Sequence, residues 1–210
     1  MKILGIIGGM SPESTATYYT EINRLVNQKK GGNISAPIVM VSVEFEEIVQ
    51  CQKQSEWQRA GEILAEAGKK LEMIGAEGIV LATNTMHKVA PQIERALSIP
   101  FLHILDATAD AIKSRGLNKV ALLGTKFTMS DNFYRDGLIV RGITPIVPNE
   151  SAQNEIHRII FDELCVGKFL PQSKAFYLDT IEFLRKQGAE GVILGCTEIG
   201  LLVNQSDFSL

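Results

Sequence analysis

The sequence lacks the features that mark several common classes of protein. Its 210 residues contain no uninterrupted apolar run of about 18 residues, so we expect no membrane-spanning segment. Lys and Arg form no cluster, and the net charge of -3 argues against nucleic acid as the main partner. There is no low-complexity segment and no G-x-G-x-x-G loop of the kind that binds dinucleotides. Together these absences argue against membrane, nucleic-acid and dinucleotide partners.

Cysteine is scarce as well. The three cysteines, Cys51, Cys165 and Cys196, are odd in number and widely spaced, and no C-x-x-C pattern is present. This pattern predicts neither a disulfide framework nor a metal site, and it favours a reducing, cytoplasmic location. The first residues, "MKILGIIGGMSPEST", combine one Lys with a short apolar run before a glycine turn. They are typical of a first β-strand rather than of a secretion signal.

What the chain does have is a regular alternation of short apolar runs and amphipathic segments. The apolar runs are rich in Ile and Val on both faces, as buried parallel strands are. The first amphipathic segment has Ser11 as a predicted N-cap and Pro12 at the first helical position. We therefore expect an α/β fold with parallel sheets flanked by helices. The predicted strands are residues 2–7, 37–43, 78–82, 119–124, 144–148 and 191–195. The predicted helices are residues 12–28, 55–74, 85–97, 105–115, 150–164 and 172–187.

One strand-and-turn sequence occurs twice. "GAEGIVLATNT" at residues 75–85 returns as "GAEGVILGCTE" at residues 188–198. A weaker echo links "KILGIIGGMS" to "KVALLGTKFTMS". The repeats predict two similar lobes, residues 1–99 and 100–210. Because ligands of open α/β sheets lie beyond the carboxyl ends of the strands, Thr83 and Cys196 would approach one ligand from opposite sides. The alternative is a duplication without functional meaning.

Cys196 is the strongest candidate for chemistry. It follows a predicted strand and precedes a helix-like segment, where the helix dipole would lower the thiol pKa from about 8.5. The resulting thiolate would act as a base or as a nucleophile. The alternative is a buried, inert thiol, which is the better interpretation of Cys51 and Cys165.

Polar residues surround both repeated turns. Asn84, Thr85 and Thr197, together with backbone N–H groups at two helix starts, would bind a carboxylate. Thr85 and Thr197 could instead cap their helices. His87 would orient a polar group, or cap the helix as a surface residue.

The other candidates lie farther from the two turns. His103 and His157 have the pattern of structural residues. Lys126 and Lys168 are candidates for a distal carboxylate, with a solvated surface lysine as the alternative.

Five ordered motifs give the chain a specific resemblance over nearly its whole length. It resembles the aspartate/glutamate racemase family, which needs no pyridoxal phosphate or other cofactor. The resemblance implies two pseudosymmetric α/β lobes, a small amino-acid substrate held between them, and a homodimer. In this family two cysteines act on opposite faces of the substrate Cα, one removing the proton and the other returning it. The motifs are "GIIGGMSPEST", "ATNTMHKVAPQIE", "IPFLHILDAT", "LLGTKFTM" and "GCTEI".

The family's second cysteine matches Cys196, but its first falls on Thr83. An alcohol is a far weaker acid than a thiol, so Thr83 cannot be a thiolate-like base at neutral pH. A subgroup similar to this chain carries the same Thr/Cys pair and acts preferentially on L-aspartate and L-glutamate. The resemblance implies substrate contacts from both turns and from the glycine loop. It also implies a contact from a "GTxxT" loop, in which Thr128 is favoured over Thr125. Two further regions would lie near the distal carboxylate, one containing Gln50 and Gln52 and the other near Lys168. The implied substrate-binding residues are Met10, Ser11, Gln52, Asn84, Thr85, Thr128, Lys168, Thr197 and Glu198.

Other outcomes stay open at this stage. Relatives on the same fold use a single cysteine for cofactor-free decarboxylation or isomerisation, and a one-cysteine chain could also be a non-catalytic, ligand-binding relative. Family members usually continue beyond "VNQSDFSL" with a strand and helix that complete the first lobe. The resemblance therefore implies that this return segment is missing from the chain as given.

Overall fold

The computed structural model describes residues 1–208 and 210, and its chain divides into two compact units. Unit 1 comprises Met1–Ile104 and unit 2 comprises Leu105–Leu210. Each unit contains one sheet, and every described strand pairing is parallel. The expected α/β class with helix-flanked parallel sheets is confirmed. None of the helices in the described part of the chain is long and apolar enough to cross a membrane.

Unit 1 has the strand order β2-β1-β3-β4. Its buried core includes Ile7, Leu64 and Ile79, so the helices cover strands that are apolar on both faces. Helix α1 begins as the sequence predicts, because the Ser11 hydroxyl accepts a hydrogen bond from Ser14 N at 3.2 Å. The strands are β1 (Leu4–Gly8), β2 (Ile38–Ser42), β3 (Gly78–Leu81) and β4 (Phe101–Leu102). The helices are α1 (Pro12–Lys30), α2 (Phe45–Gln54), α3 (Trp57–Met73), a 3-10 helix (Thr85–Val89) and α4 (Ala90–Ala96).

Unit 2 has the strand order β6-β5-β7. Its core packs helices α8 and α9 against the sheet through Ile156, Ile160 and Ile181. The strands are β5 (Lys119–Leu123), β6 (Thr144–Ile146) and β7 (Gly191–Leu194). The α-helices are α5 (Ile104–Lys113), α6 (Lys126–Ser130), α7 (Asn132–Ile139), α8 (Glu150–Asp162), α9 (Pro171–Lys186) and α10 (Ile199–Leu202), and two 3-10 helices span Leu164–Val166 and Gln205–Asp207.

The structure corrects several predicted elements. The predicted helix 55–74 is preceded by a separate helix, α2, and the break falls at Ser55, whose φ of 59° is left-handed. No Gly or Pro marks that break, so the sequence pattern does not reveal it. The predicted helix 85–97 begins as a 3-10 helix, and Pro91 stands in the first turn of the α-helix that follows. The short elements β4, α6 and α7 were also missed, because segments of two to eight residues carry little periodic signal.

The repeated sequences occupy equivalent places in their sheets. Strands β3 and β7 each pair with the strand that comes first in the chain within its own sheet, β1 and β5 respectively. Just after each strand, a backbone N–H bonds back to that neighbour: Ala82 N to Ile7 O at 2.9 Å, and Gly195 N to Leu123 O at 2.6 Å. The residues that follow, Thr83 and Cys196, therefore leave their sheets with the same backbone support.

Candidate active site

Two turns contain the residues that the sequence predicts to be reactive. We define the Thr83 turn as residues 82–87 and the Cys196 turn as residues 195–200. Both keep one backbone bond in common, since His87 N donates to Asn84 O at 3.1 Å and Gly200 N donates to Thr197 O at 3.2 Å. Their side chains differ completely, and those side chains decide what each turn can do.

In the Thr83 turn, a histidine contacts the backbone of the reactive position. Thr83 N donates to Leu81 O at 2.9 Å, and His87 Nδ1 lies 2.7 Å from Thr83 O. The side chains of Thr83 and Asn84 are half-buried. Thr85 is buried at the start of the 3-10 helix, which has no side-chain cap. The alternative in which Thr85 caps the helix is therefore wrong, because the turn closes through backbone bonds instead.

His87 is a buried, neutral imidazole. Its side chain is 2% exposed, and its Nε2 lies 3.2 Å from the N–H of Ile104. Burial, followed by the nearby charge of His103, lowers the pKa of His87 to about 3. The alternative of a surface or capping histidine is wrong, and a pKa of about 3 keeps His87 uncharged near neutral pH.

In the Cys196 turn, a carboxylate contacts the reactive side chain itself. The Cys196 thiol donates to Glu198 Oε2 at 2.9 Å, and the Thr197 hydroxyl donates to the same oxygen at 3.0 Å. Glu198 was predicted to contact substrate, and the structure places it beside the thiol. A carboxylate that accepts the thiol proton is positioned to exchange protons with the sulfur.

The expected lowering of the Cys196 pKa is wrong. Burial, and after it the negative charge of Glu198, raise the pKa of this thiol well above its ordinary value. The dipole argument fails because α10 is a four-residue helix that begins only at Ile199, three residues beyond Cys196. Thr197 does not cap that helix either, since its hydroxyl bonds to Glu198. Without substrate, Cys196 is therefore a protonated thiol at neutral pH.

The other two cysteines lie in different environments. Cys51 is buried in the core of unit 1, as predicted. Cys165 is exposed in the 3-10 helix Leu164–Val166, so its interpretation as a buried thiol is wrong. Exposure follows from its place on a short surface turn, where only Leu164 points into the core.

The glycine loop of unit 1 packs into its own core and caps α1, and the threonine loop of unit 2 packs against the Cys196 turn. Met10 is 6% exposed and lies in the unit 1 core, while Ser11 caps α1. Thr128 has no exposed surface, and its methyl group lies 3.1 Å from where a Cβ on Gly195 would stand. Thr125 caps α6 by accepting from Thr128 N. Thr128 thus packs against the backbone that precedes Cys196.

The residues predicted near a distal carboxylate are spread over both units. In unit 1, the half-buried Gln52 donates to the sulfur of Met86 at 3.1 Å, and Gln50 is exposed. In unit 2, Lys168 is exposed after the 3-10 helix, and Lys126 donates to Asn154 Oδ1 at 2.9 Å. Their contacts to substrate stay predictions.

A buried polar group near Cys196 was missed by the sequence analysis. Tyr177 has no exposed surface, and its hydroxyl has no hydrogen-bond partner among the described residues. Burial raises its pKa first, and the charges of Cys196 and Glu163 raise it further. Glu163 is itself buried, accepting from Arg158 at 2.8 Å and from Ser173 at 2.5 Å. An i, i+3 apolar pattern hides Tyr177 within an ordinary amphipathic helix, so no sequence signal singles it out.

The family of the chain follows from comparison with known proteins. Residues 7–210 match the family model described as Asp/Glu/hydantoin racemase. The chain belongs to this family. The resemblance carried by its five motifs is confirmed, and the chain is an amino-acid racemase, an isomerase.

Individual relatives agree with this racemase in fold and length. A crystal structure from Yersinia pestis, of a protein assigned as an Asp/Glu racemase, is 49% identical with a TM-score of 0.95, and covers 100% of this chain and 92% of that one. The structure of an aspartate racemase homologue from Pyrococcus horikoshii OT3 is 40% identical with a TM-score of 0.87 and the same coverage. The broad specificity amino-acid racemase RacX of Bacillus subtilis is 23% identical over 204 residues, which are 96% of this chain and 88% of RacX.

Proposed function

We propose that this racemase inverts the Cα of an acidic amino acid, L-aspartate or L-glutamate, with Cys196 on one face and Thr83 on the other. The observation that supports the proposal most is the hydrogen bond from the Cys196 thiol to Glu198 at 2.9 Å. It puts a proton acceptor beside the one thiol that the repeat places at a strand end.

Cys196 is the base toward the L enantiomer in this proposal, as the family resemblance implies. Because its pKa is raised, the thiol must lose its proton before it can act. Glu198 accepts that proton and becomes a carboxylic acid, which leaves a thiolate. The positive ammonium group of the substrate stabilises the thiolate, and the thiolate then takes the Cα proton. The electron pair of the broken C–H bond stays on the substrate as a carbanion.

Thr83 serves the opposite face. Its hydroxyl donates a proton to the carbanion, which yields the D enantiomer and an alkoxide. Glu198 then releases its proton to solvent and solvent reprotonates the alkoxide, which restores the starting state. In the reverse direction an alcohol has to become a base, which is far harder than ionising a thiol. We therefore propose that the two faces work at unequal rates. The equilibrium between L and D forms is unchanged, so kcat and KM must differ between directions by the same factor.

The substrate carboxylates would be bound by polar groups of the same two turns. Asn84 and Thr197 follow the two reactive residues directly, and Thr197 is exposed. The remaining contacts proposed from the family resemblance are those of Met10, Ser11, Gln52, Thr85, Thr128 and Lys168. Met10 and Thr128 are buried in this structure, so they would act through the shape of their loops.

Proton NMR in deuterated water tests this function directly. Incubation with L-aspartate or L-glutamate should remove the Cα–H signal, and a chiral assay should detect D product. A racemase with a weak second face loses the signal faster than it forms D product. Neither exchange nor D product from either substrate would refute the assignment of an acidic amino acid. Carbon dioxide release would indicate a decarboxylase instead.

The cofactor, assembly and location of the racemase stay predictions. We expect activity to survive chelators and carbonyl reagents, because the proposed steps use only side chains of the chain. We also expect a homodimer in the cytoplasm, and sedimentation velocity would measure the assembly.

A further inference from the structure

We propose that His87 is a positioning residue for the Thr83 side of the reaction, holding the Thr83 turn through a different hydrogen bond at each ring nitrogen. This inference rests on the proposed function of Thr83. His87 itself does not touch substrate in this proposal, and acts through the peptide that carries Thr83.

The hydrogen-bond partners fix the tautomer of the ring. Ile104 offers its backbone N–H to Nε2 at 3.2 Å, and a backbone N–H can only donate. Nε2 must therefore be the unprotonated nitrogen. The single ring proton then lies on Nδ1, which donates it to Thr83 O at 2.7 Å. Both nitrogens are used, and the ring cannot flip without losing both bonds.

Packing within unit 1 holds the ring in this orientation. His103 contacts His87 edge-on, with ring centroids 4.8 Å apart, and Phe101 contacts it at 5.7 Å with a tilt of 54°. Both neighbours belong to the segment that ends at Ile104, where unit 1 ends. His87 thus links the Thr83 turn to the last strand of its own sheet.

The bond to Thr83 O has a consequence for the side chain of Thr83. Because the peptide is planar, fixing the carbonyl fixes the whole plane between Thr83 and Asn84. That removes one backbone rotation of Thr83 and sets the direction of the first bond of Asn84. Only the side-chain torsions of Thr83 then remain to be set for its hydroxyl to face the carbanion.

The Cys196 turn has no histidine that binds the carbonyl of its reactive residue. Gly200 stands where the repeat would place a second His87, and the Cys196 carbonyl accepts from Ile199 N at 3.2 Å instead. Loss of His87 should therefore weaken the Thr83 face and spare the Cys196 face. A merely structural role would weaken both faces together.

Two substitutions separate the two bonds. In His87→Asn the side-chain amide can reach the position of Nδ1 and donate to Thr83 O, but nothing accepts from Ile104. In His87→Gln the amide oxygen can reach the position of Nε2 and accept from Ile104, but the bond to Thr83 O is lost. We expect His87→Gln to lower kcat for racemisation by about 10- to 100-fold, the scale of a misplacement of about 1 Å. His87→Asn should lower it clearly less.

The readout is the ratio of inversion to Cα–H exchange, measured from the L substrate in deuterated water. His87→Gln should retain exchange by Cys196 while D product falls. Nitrogen-15 NMR of the wild type should show the proton on Nδ1. A proton on Nε2 in the wild type would overturn the inference. So would a larger loss of kcat in His87→Asn than in His87→Gln, or an equal loss of exchange and inversion in His87→Gln.

A Thr83→Ala control distinguishes failure of this inference from failure of the proposed function. If Thr83→Ala keeps wild-type racemisation, the proposed role of Thr83 is wrong and the inference falls with it. If Thr83→Ala loses inversion while both His87 variants behave as wild type, only the inference is wrong.

Discussion

The Thr83 turn and the Cys196 turn begin from the same backbone and end in opposite chemistry. In the Thr83 turn, the partner side chain, His87, binds the main-chain carbonyl of Thr83. In the Cys196 turn, the partner, Glu198, binds the reactive sulfur itself. In the proposed mechanism, His87 orients the Thr83 peptide, and Glu198 accepts the proton of Cys196.

This difference matches what each group needs. A threonine hydroxyl cannot be made into a useful base by a nearby acceptor at neutral pH, so only its position can be improved. A thiol can lose its proton to a carboxylate, so a close acceptor is useful even though the same charge raises the thiol pKa. In the proposed mechanism, the two copies of the repeated strand thus carry two different groups that transfer the Cα proton.

The largest effects are expected when the Cys196 thiol and the Thr83 hydroxyl are removed separately. Cys196→Ala should abolish both Cα–H exchange and inversion of L substrate, a loss of at least about 1,000-fold, because the sulfur is the group that takes the Cα proton in the proposed mechanism. Thr83→Ala should abolish inversion while exchange from L substrate persists. Proton NMR in deuterated water with a chiral assay measures both. Exchange at near wild-type rate in Cys196→Ala would show that the sulfur is not the base.

A smaller effect is expected when only the proton acceptor is changed. Glu198→Gln removes the charge that, after burial, contributes most to the raised thiol pKa, so iodoacetamide should alkylate Cys196 faster near neutral pH. The same variant loses the carboxylate base, so turnover should fall by about 100-fold.

Alkylation and turnover should thus change in opposite directions. Labelling is followed by mass spectrometry, with the exposed Cys165 as the internal reference for reagent activity. Slower labelling of Cys196 together with slower turnover would point to a disrupted turn rather than to a lost acceptor.

The smallest effect is on stability as a function of pH. The folded-state pKa of Cys196 is raised above its unfolded value, so the fold favours the protonated thiol. Its contribution is fully present below the unfolded pKa of about 8.5 and is lost as pH rises toward the folded pKa. The unfolding free energy of wild type should therefore fall relative to that of Cys196→Ser, by up to about 1.4 kcal/mol per pH unit above 8.5.

Urea unfolding at several alkaline pH values measures this difference. Cys165→Ser is the matched control, because the charge of Cys165 ranks after burial and Glu198 among the causes that raise the pKa of Cys196, so most of the wild-type slope should remain. A wild-type slope identical to that of Cys196→Ser would contradict a raised pKa in the fold.

The sequence predicted what depends on repeated patterns. Two parallel sheets followed from Ile- and Val-rich runs, and the equivalence of β3 and β7 followed from a direct repeat. The Ser11 cap followed from a local rule. Each of these depends on residues close together in the chain, which is where sequence reasoning is strongest.

The features that the sequence did not predict depend on contacts between distant or irregular segments. The sign of the Cys196 pKa shift depends on burial and on a carboxylate whose direction no pattern encodes. The Ile104 bond to His87 spans 17 residues, and it rules out the alternative in which that histidine is a surface residue. Ser55 ends a helix in a conformation that its residue type rarely adopts.

The bonds that join Ala82 to Ile7 and Gly195 to Leu123 have a consequence for how such a protein can change over generations. The supports of both turns are main-chain atoms of the preceding residue and of a neighbouring strand. A single-codon replacement at position 83 or 196 therefore exchanges the side chain at a proposed acid–base position without altering the hydrogen bonds that support the turn. Descendants of one duplicated ancestor can explore new reactivity at either position while inheriting an unchanged framework.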